Sequence, residues 1–140
     1  PAGESGRYIN KDNGIVLDPD TGIEWYRCAF GQRYVPQGCS GDALLVTHDE
    51  VDSMLAEISA KAGQKWRLPT EGEFQSLREP NCVNPAINTN VFPNPLITNF
   101  WVLGEGIRDN KACVVYAYNA RRSCRVPRTE PRPFYMVKAT

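Results

Sequence analysis

Apolar residues recur along this chain with two different periods, and each period predicts an element. From Thr47 to Gly63 the sequence reads THDEVDSMLAEISAKAG, with Val51, Met54, Leu55 and Ile58 at the i, i+3, i+4, i+7 spacing. One face of an α-helix collects such positions, so the pattern predicts a helix with one buried stripe. Thr47 and Glu50 have the spacing of a capping box, and Gly63 suits the left-handed residue just past the last turn. Asp49, Glu50 and Asp52 fall in the first turn, where negative charge meets the positive end of the helix dipole. The single histidine, His48, falls there too and is expected to be solvated. A second, shorter helix is predicted within PTEGEFQSLRE. Pro69 enters it, Thr70 and Glu73 repeat the capping-box spacing, Phe74 and Leu77 share a side, and Glu79-Pro80 stops it.

Elsewhere the pattern shortens to strands. Val16-Leu17 and Ile23-Glu24-Trp25 flank Asp18-Pro19-Asp20-Thr21-Gly22, whose proline, aspartates and glycine are turn residues, so a β-hairpin is predicted. The Asp-x-Asp-x-Gly spacing is shared with the start of calcium loops, but apolar and aromatic residues stand where the later oxygen ligands belong. FWVLG reads as a buried strand, ACVVYAYNARRSCRV as two strands turning near Asn119-Ala120, and FYMVKA as a terminal strand. Residues 81–100, rich in proline and asparagine, read as an ordered, turn-rich loop. Two helices among many short strands predict an α+β domain with a mostly antiparallel sheet.

At 140 residues and 41% hydrophobic the chain suits one domain, with residues 1–13 as an N-terminal extension and 14–140 as the domain. The longest apolar runs, such as Ala43 to Val46 and Val114 to Ala117, are far shorter than the ~20 residues a membrane-spanning helix needs. The opening PAGESG resembles no leader, so the chain is read as a mature form whose export signal has been removed.

Sixteen basic side chains balance sixteen acidic ones, but unevenly along the chain. Residues 121–138 carry six basic groups, including Arg121, Arg122 and Arg125, against Glu130 alone, a net of +5 that leaves −5 for the first 120 residues. An acidic face and a basic edge follow, which bear on partner steering rather than fold. Zero net charge and the lack of a recognition motif argue against nucleic acid.

Of five cysteines, Cys28 and Cys39, and Cys113 and Cys124, lie eleven residues apart with turn residues between. With no C-x-x-C and one histidine, disulfides are expected rather than zinc, and with them an oxidising compartment. Cys82 is the odd thiol, although its pairing with Cys113 or Cys124 stays open. Glu79-Pro80-Asn81 spells the EPN of calcium-dependent lectins, whose Glu and Asn hold the metal. The W-N-D that completes such sites does not occur, because Trp101 is followed by Val102 and Leu103. No cofactor is expected, and calcium is the minor candidate.

The order GIVLDPDTGIEWYRC, Cys39-Ser40-Gly41, a helix, WRLPTEGEFQSL, CVNPAINTNVFPN, FWVLG and FYMVKA resembles the Lcl-type C-terminal domain family of bacterial envelope and exported proteins, over roughly residues 14–139. That resemblance implies a fold related to C-type lectins and formylglycine-generating enzymes. It carries no single function, since some members bind sulfated polysaccharides and fold alone does not give function. It departs at Met136, where Leu or Cys is common in the family, so a partner for Cys82 is missing there.

The expectation is a non-catalytic, exported binding module of the periplasm or cell envelope, with a lipid anchor outside this chain left open. Its surface is expected on the loops of residues 79–111 and the 119–128 turn, with Glu79, Asn81, Glu105, Arg108, Asp109, Arg121, Arg122 and Arg125 as partner-binding residues. A lone domain without repeats or a stalk favours a protein partner, concretely as an immunity protein inhibiting a toxic envelope-targeting hydrolase. The alternatives are an adhesin-type domain binding sulfated or anionic glycans, for which arginine forks are suited, and a formylglycine-generating-type oxidase acting through Cys82.

Overall fold

The Asp18–Gly22 turn closes on its own chain. The Asp18 carbonyl accepts the Gly22 N–H at 2.8 Å, its Oδ1 accepts the Asp20 N–H at 3.0 Å, and Gly22 supplies the positive φ of 74°. The hairpin it joins, β2 (Ile15–Asp18) and β3 (Ile23–Tyr26), is the predicted one. In this computed structural model, which describes residues 6–11, 13–104 and 109–139, three antiparallel sheets pack with two helices.

The first sheet runs β1 (Ile9–Asn10), β2, β3, β10 (Val137–Lys138), β6 (Trp66–Arg67). The chain's last strand thus lies inside the sheet, with Val137 opposite both Trp25 and Arg67. A small hairpin pairs β4 (Arg33–Val35) with β5 (Gly38–Ser40). The third sheet is β7 (Asn99–Val102), β8 (Lys111–Tyr116) and β9 (Arg121–Pro127). Helix α1 spans His48–Ala62 and helix α2 spans Glu71–Gln75.

Strand β8 shows why its sequence has no polar alternation. Cys113 and Val115 face one apolar cluster while Ala112 and Val114 face the other, so both sides are buried. The first cluster is a nest of rings: Phe100 stacks on Tyr135 at 4.8 Å, and Trp25 meets Phe92 edge-on at 5.7 Å. The second lies under α1, where Val51 and Leu55 join Trp101 and Phe134, and Trp101 Nε1 donates to the Val46 carbonyl at 2.8 Å.

Residues 7–10 are part of this packing. Tyr8 is buried in the ring cluster, and β1 pairs with β2. Arg7 forks onto Asp18, Nε to Oδ1 at 2.9 Å and Nη2 to Oδ2 at 3.0 Å, and Asp18 has no solvent exposure. Burial alone would raise the Asp18 pKa, but Arg7 and the Asp20 N–H outweigh it and hold the carboxyl below its ordinary range.

Both expected disulfides form, Cys28–Cys39 and Cys113–Cys124, and Cys82 is a buried free thiol. The WRLPTEGEF stretch joins β6 to α2. Glu73 accepts the Thr70 N–H at 2.8 Å and receives the Arg67 guanidinium on both oxygens at 2.8 and 2.9 Å, tying β6 to α2.

Three expectations need correction. Helix α2 ends at Gln75, not at Glu79-Pro80. The Ser76 hydroxyl donates to the Glu73 carbonyl at 2.6 Å and the Glu79 N–H goes to the Ala86 carbonyl at 2.7 Å, so a carbonyl and an N–H that would continue the helix are already used. Pro69 precedes the N-cap Thr70 rather than opening the helix, and its carbonyl accepts the Leu103 N–H at 2.8 Å. His48 is half-buried rather than solvated. Its ring sits edge-on to Trp101 at 5.3 Å, and its backbone N–H donates to the Arg128 carbonyl at 2.9 Å. Burial, seconded by Arg128, lowers the His48 pKa below the ordinary histidine value.

Candidate functional site

The β8–β9 hairpin turns tightly, and its turn is anchored. Asn119 Oδ1 accepts the Arg121 N–H at 3.0 Å, the Ala120 N–H reaches the Tyr116 carbonyl at 2.7 Å, and Ala120 takes a left-handed φ of 61°. Gln75, the last residue of α2, donates its side-chain amide to the Ala120 carbonyl at 3.2 Å. Helix end and hairpin turn are thereby held together as the walls of an open cleft of about 600 Å³, lined by Gln75, Arg78, Asn119, Ala120, Arg121 and Arg122.

The cleft is cationic. Arg122 lies 3.7 Å from Glu71, whereas Arg78 and Arg121 have no ion-pair partner among the described residues. Three guanidinium groups against one carboxylate leave an excess of donors, and guanidinium is the group whose fork matches an oxyanion. Beside them is an aromatic pair. Tyr116 stands opposite Arg121 in the strand register and stacks on Tyr118 with centroids 5.8 Å apart. Both tyrosines are exposed, and Val83, exposed at 56%, follows on the adjoining loop, where Asn84 donates its N–H to the Tyr118 carbonyl at 2.8 Å. Arginine and tyrosine with an apolar neighbour are the composition that dominates protein-interface energetics.

Of the residues expected at a binding surface, Arg121 and Arg122 meet in this cleft. Arg125 is exposed further along β9 and does not line it, and Asp109 is exposed just before β8. Half-buried Glu79 and exposed Asn81 stand just beyond Arg78, in a turn closed by the Cys82 N–H on the Glu79 carbonyl at 3.0 Å. Glu105 and Arg108 lie outside the described residues. Arg78, Tyr116 and Tyr118 escaped the sequence reading. Tyr116 and Tyr118 carried a signal, two aromatics two residues apart leading into a basic run, but it read only as part of two strands turning near Asn119-Ala120. Arg78 looked like an ordinary helix residue until the helix proved shorter.

The acidic start of α1, a second candidate surface, is largely satisfied from within. Arg128 reaches Asp49 at 2.6 Å and holds it below the ordinary carboxylate range, Glu50 accepts the Thr47 N–H at 2.8 Å, and Lys61 pairs with Glu57 at 3.2 Å. Glu71, Cys113 and Cys124 bring carboxylate and sulfur atoms within 4.8 Å of one another, but both sulfurs are bonded in the disulfide and are not free to ligate a metal. Among the described residues, no helix is long and apolar enough to cross a membrane.

Compared with protein-family models, the chain matches the Lcl C-terminal domain over residues 14–138. Neither the curated proteins nor the solved structures contain a match to it.

Proposed function

This chain belongs to the Lcl C-terminal domain family, and on that footing we propose that it is a non-catalytic, exported binding module of C-type-lectin-like fold. Its arginine- and tyrosine-bearing end recognises an acidic protein partner at the bacterial envelope. The observation that carries this reading is the juxtaposition of the exposed Tyr116–Tyr118 stack with a cleft holding Arg78, Arg121 and Arg122. In its concrete form the domain is a periplasmic immunity protein. The aromatic pair seats on the rim of a toxic hydrolase while the guanidinium groups take up carboxylates of its active site. The two disulfides support a place outside the reducing cytoplasm, since such bonds persist in oxidising compartments. Supporting a binding role over a thiol oxidase, four cysteines are bonded and the fifth, Cys82, is buried.

The test is site-specific photo-crosslinking in envelope extract, with the reactive residue at Tyr118 or, as control, at the exposed helix position Ala60. A defined adduct from Tyr118 that disappears in Arg121→Ala/Arg122→Ala is expected. Equal labelling from both positions, or labelling indifferent to the arginines, refutes the reading.

The same guanidinium cluster favours a second reading, an adhesin-type site for sulfated or anionic glycans. That reading requires retention on a heparin-like resin that Arg78→Ala/Arg121→Ala/Arg122→Ala abolishes. Retention that survives the triple substitution would refute it.

A further inference from the structure

A second concavity, sharing no lining residue with the arginine cleft, opens beside α1. The apolar stripe of α1 is covered unevenly: Val51 and Leu55 are buried, whereas Met54 and Ile58 are only half-buried. Under the C-terminal half of the helix the packing opens into a cleft of about 600 Å³. Its apolar wall is made by Ile15, Tyr26, Phe30, Ile58, Trp66 and Met136.

This wall is held rigid from behind. Phe30 stacks on Phe134 at 4.8 Å, Tyr26 meets Trp66 edge-on at 6.3 Å, and the Tyr26 hydroxyl accepts the Tyr34 N–H at 2.8 Å. The shape is therefore preformed, and its size falls within the 300–1,000 Å³ range typical of small-molecule pockets. Two of the three side-chain amides that line the cleft are engaged, Gln32 with the Gly41 carbonyl at 3.2 Å and Gln64 with the Lys65 carbonyl at 2.9 Å, and Asn13 is the third. The charged groups that line it are all cationic. Arg33 has no ion-pair partner among the described residues, Lys138 is shared with Glu24 at 3.6 Å, and no carboxylate lines the cleft among the described residues.

We propose that this cleft binds a single-chain anionic amphiphile, its acyl chain along the Ile15, Tyr26, Phe30, Ile58, Trp66 and Met136 wall and its carboxylate at Arg33. An apolar wall favours the chain by removing its surface from water. An unpaired guanidinium at the rim selects an anionic head over a cationic one. Because the two concavities are separate, this site stands or falls apart from partner binding at the tyrosine and arginine end.

The experiment is calorimetric titration of the whole chain with decanoate and with decyltrimethylammonium, both below their micellar range. Saturable binding of one decanoate per chain is expected, with decyltrimethylammonium at least about tenfold weaker, a difference of ~1.4 kcal/mol. Arg33→Ala should weaken decanoate about tenfold and leave decyltrimethylammonium unchanged. Ile58→Trp, which fills the cleft from the helix side, should abolish binding of both. If Ile58→Trp loses its far-ultraviolet circular dichroism or melts early, Ala62→Phe, at an exposed lining position, takes its place. Absence of saturable decanoate binding, equal affinity for the two head groups, or decanoate binding undiminished in the folded cleft-filling variant would each overturn the proposal.

Discussion

Replacing Arg7 by methionine keeps the aliphatic stem and removes the guanidinium from a carboxylate with no solvent exposure. Asp18 would retain the Asp20 N–H at 3.0 Å but lose both arms of the fork, and the Ser76 carbonyl would lose its donor. Removing one partner of a buried ion pair costs roughly 3–5 kcal/mol, mostly because the other charge is left uncompensated. The Arg7 side chain is 27% exposed, so the lower end of that range, ~3 kcal/mol, applies. With a urea dependence of about 2 kcal/mol per molar for a domain of this size, the midpoint should fall by roughly 1.5 M. The sign of the pH dependence follows from the Asp18 carboxyl, which Arg7 holds below its ordinary range in the folded protein. The pair's stabilisation is complete above the ordinary carboxylate pKa of about 3.9 and is lost as pH falls through the lower folded value. In Arg7→Met burial is opposed only by the Asp20 and Thr21 hydrogen bonds, so the carboxyl lies higher than in the parent and lowering the pH neutralises the stranded charge. The gap between parent and variant should therefore be widest at pH 7 and narrow towards about pH 3. Adding Asp18→Asn to Arg7→Met should recover about 1 kcal/mol at neutral pH, because the amide oxygen still accepts the Asp20 N–H without carrying charge. Urea titrations at several pH values read all of this. A gap under about 1 kcal/mol at pH 7, or one that does not change with pH, would refute the account of Asp18 as a buried charge held by Arg7.

Opening either eleven-residue disulfide by Cys28→Ser or Cys113→Ser should cost roughly 2–4 kcal/mol, read as a lowered melting temperature that reductant reproduces in the parent. Two glycines with similar positive φ should separate backbone strain from steric contact. Gly22→Ala meets nothing within 4 Å and should lose about 1 kcal/mol, whereas a Cβ at Gly14 lies 2.6 Å from that of Tyr34, so Gly14→Ala should lose roughly 2–4 kcal/mol. Equal losses would contradict the contact argument. Glu73→Gln keeps the cap but breaks the ionic fork with Arg67, and should cost about 1–2 kcal/mol in urea titration. The Arg67 hydrogen bond, despite opposing burial, holds Glu73 below its ordinary range, so that difference should be full at neutral pH and vanish as pH falls through the folded value. Arg121→Ala and Arg122→Ala should change stability by no more than about 0.5 kcal/mol, since both side chains are exposed, and a larger loss would mean they serve folding rather than recognition.

What could be read in advance was whatever local chain chemistry decides. Thr47, Glu50 and Gly63 mark the ends of α1 because capping groups and a left-handed residue act within a few positions of one another. The Asp18–Gly22 turn and the disulfides, at a separation of eleven residues, are local for the same reason. The family was legible too, because its motifs are these same local joints. Tertiary structure decided what depends on distant partners. The turn after α2 is pinned by Arg7, 69 residues away in sequence, which donates to the Ser76 carbonyl. His48 turns inward because β7 brings Trp101 beneath it. The last strand enters the sheet between β3 and β6, which no periodicity announces. The arginine cleft belongs to this second kind: Arg121 and Arg122 stood out as a basic run, but Arg78 joins them only because Gln75 ties the end of α2 to the hairpin turn. Hydrogen-bond capping and turn geometry act over a few residues and are written in the sequence. The meeting of side chains from separate elements is set by how those elements pack, and it is there that the arginine cleft and the cleft beside α1 arise.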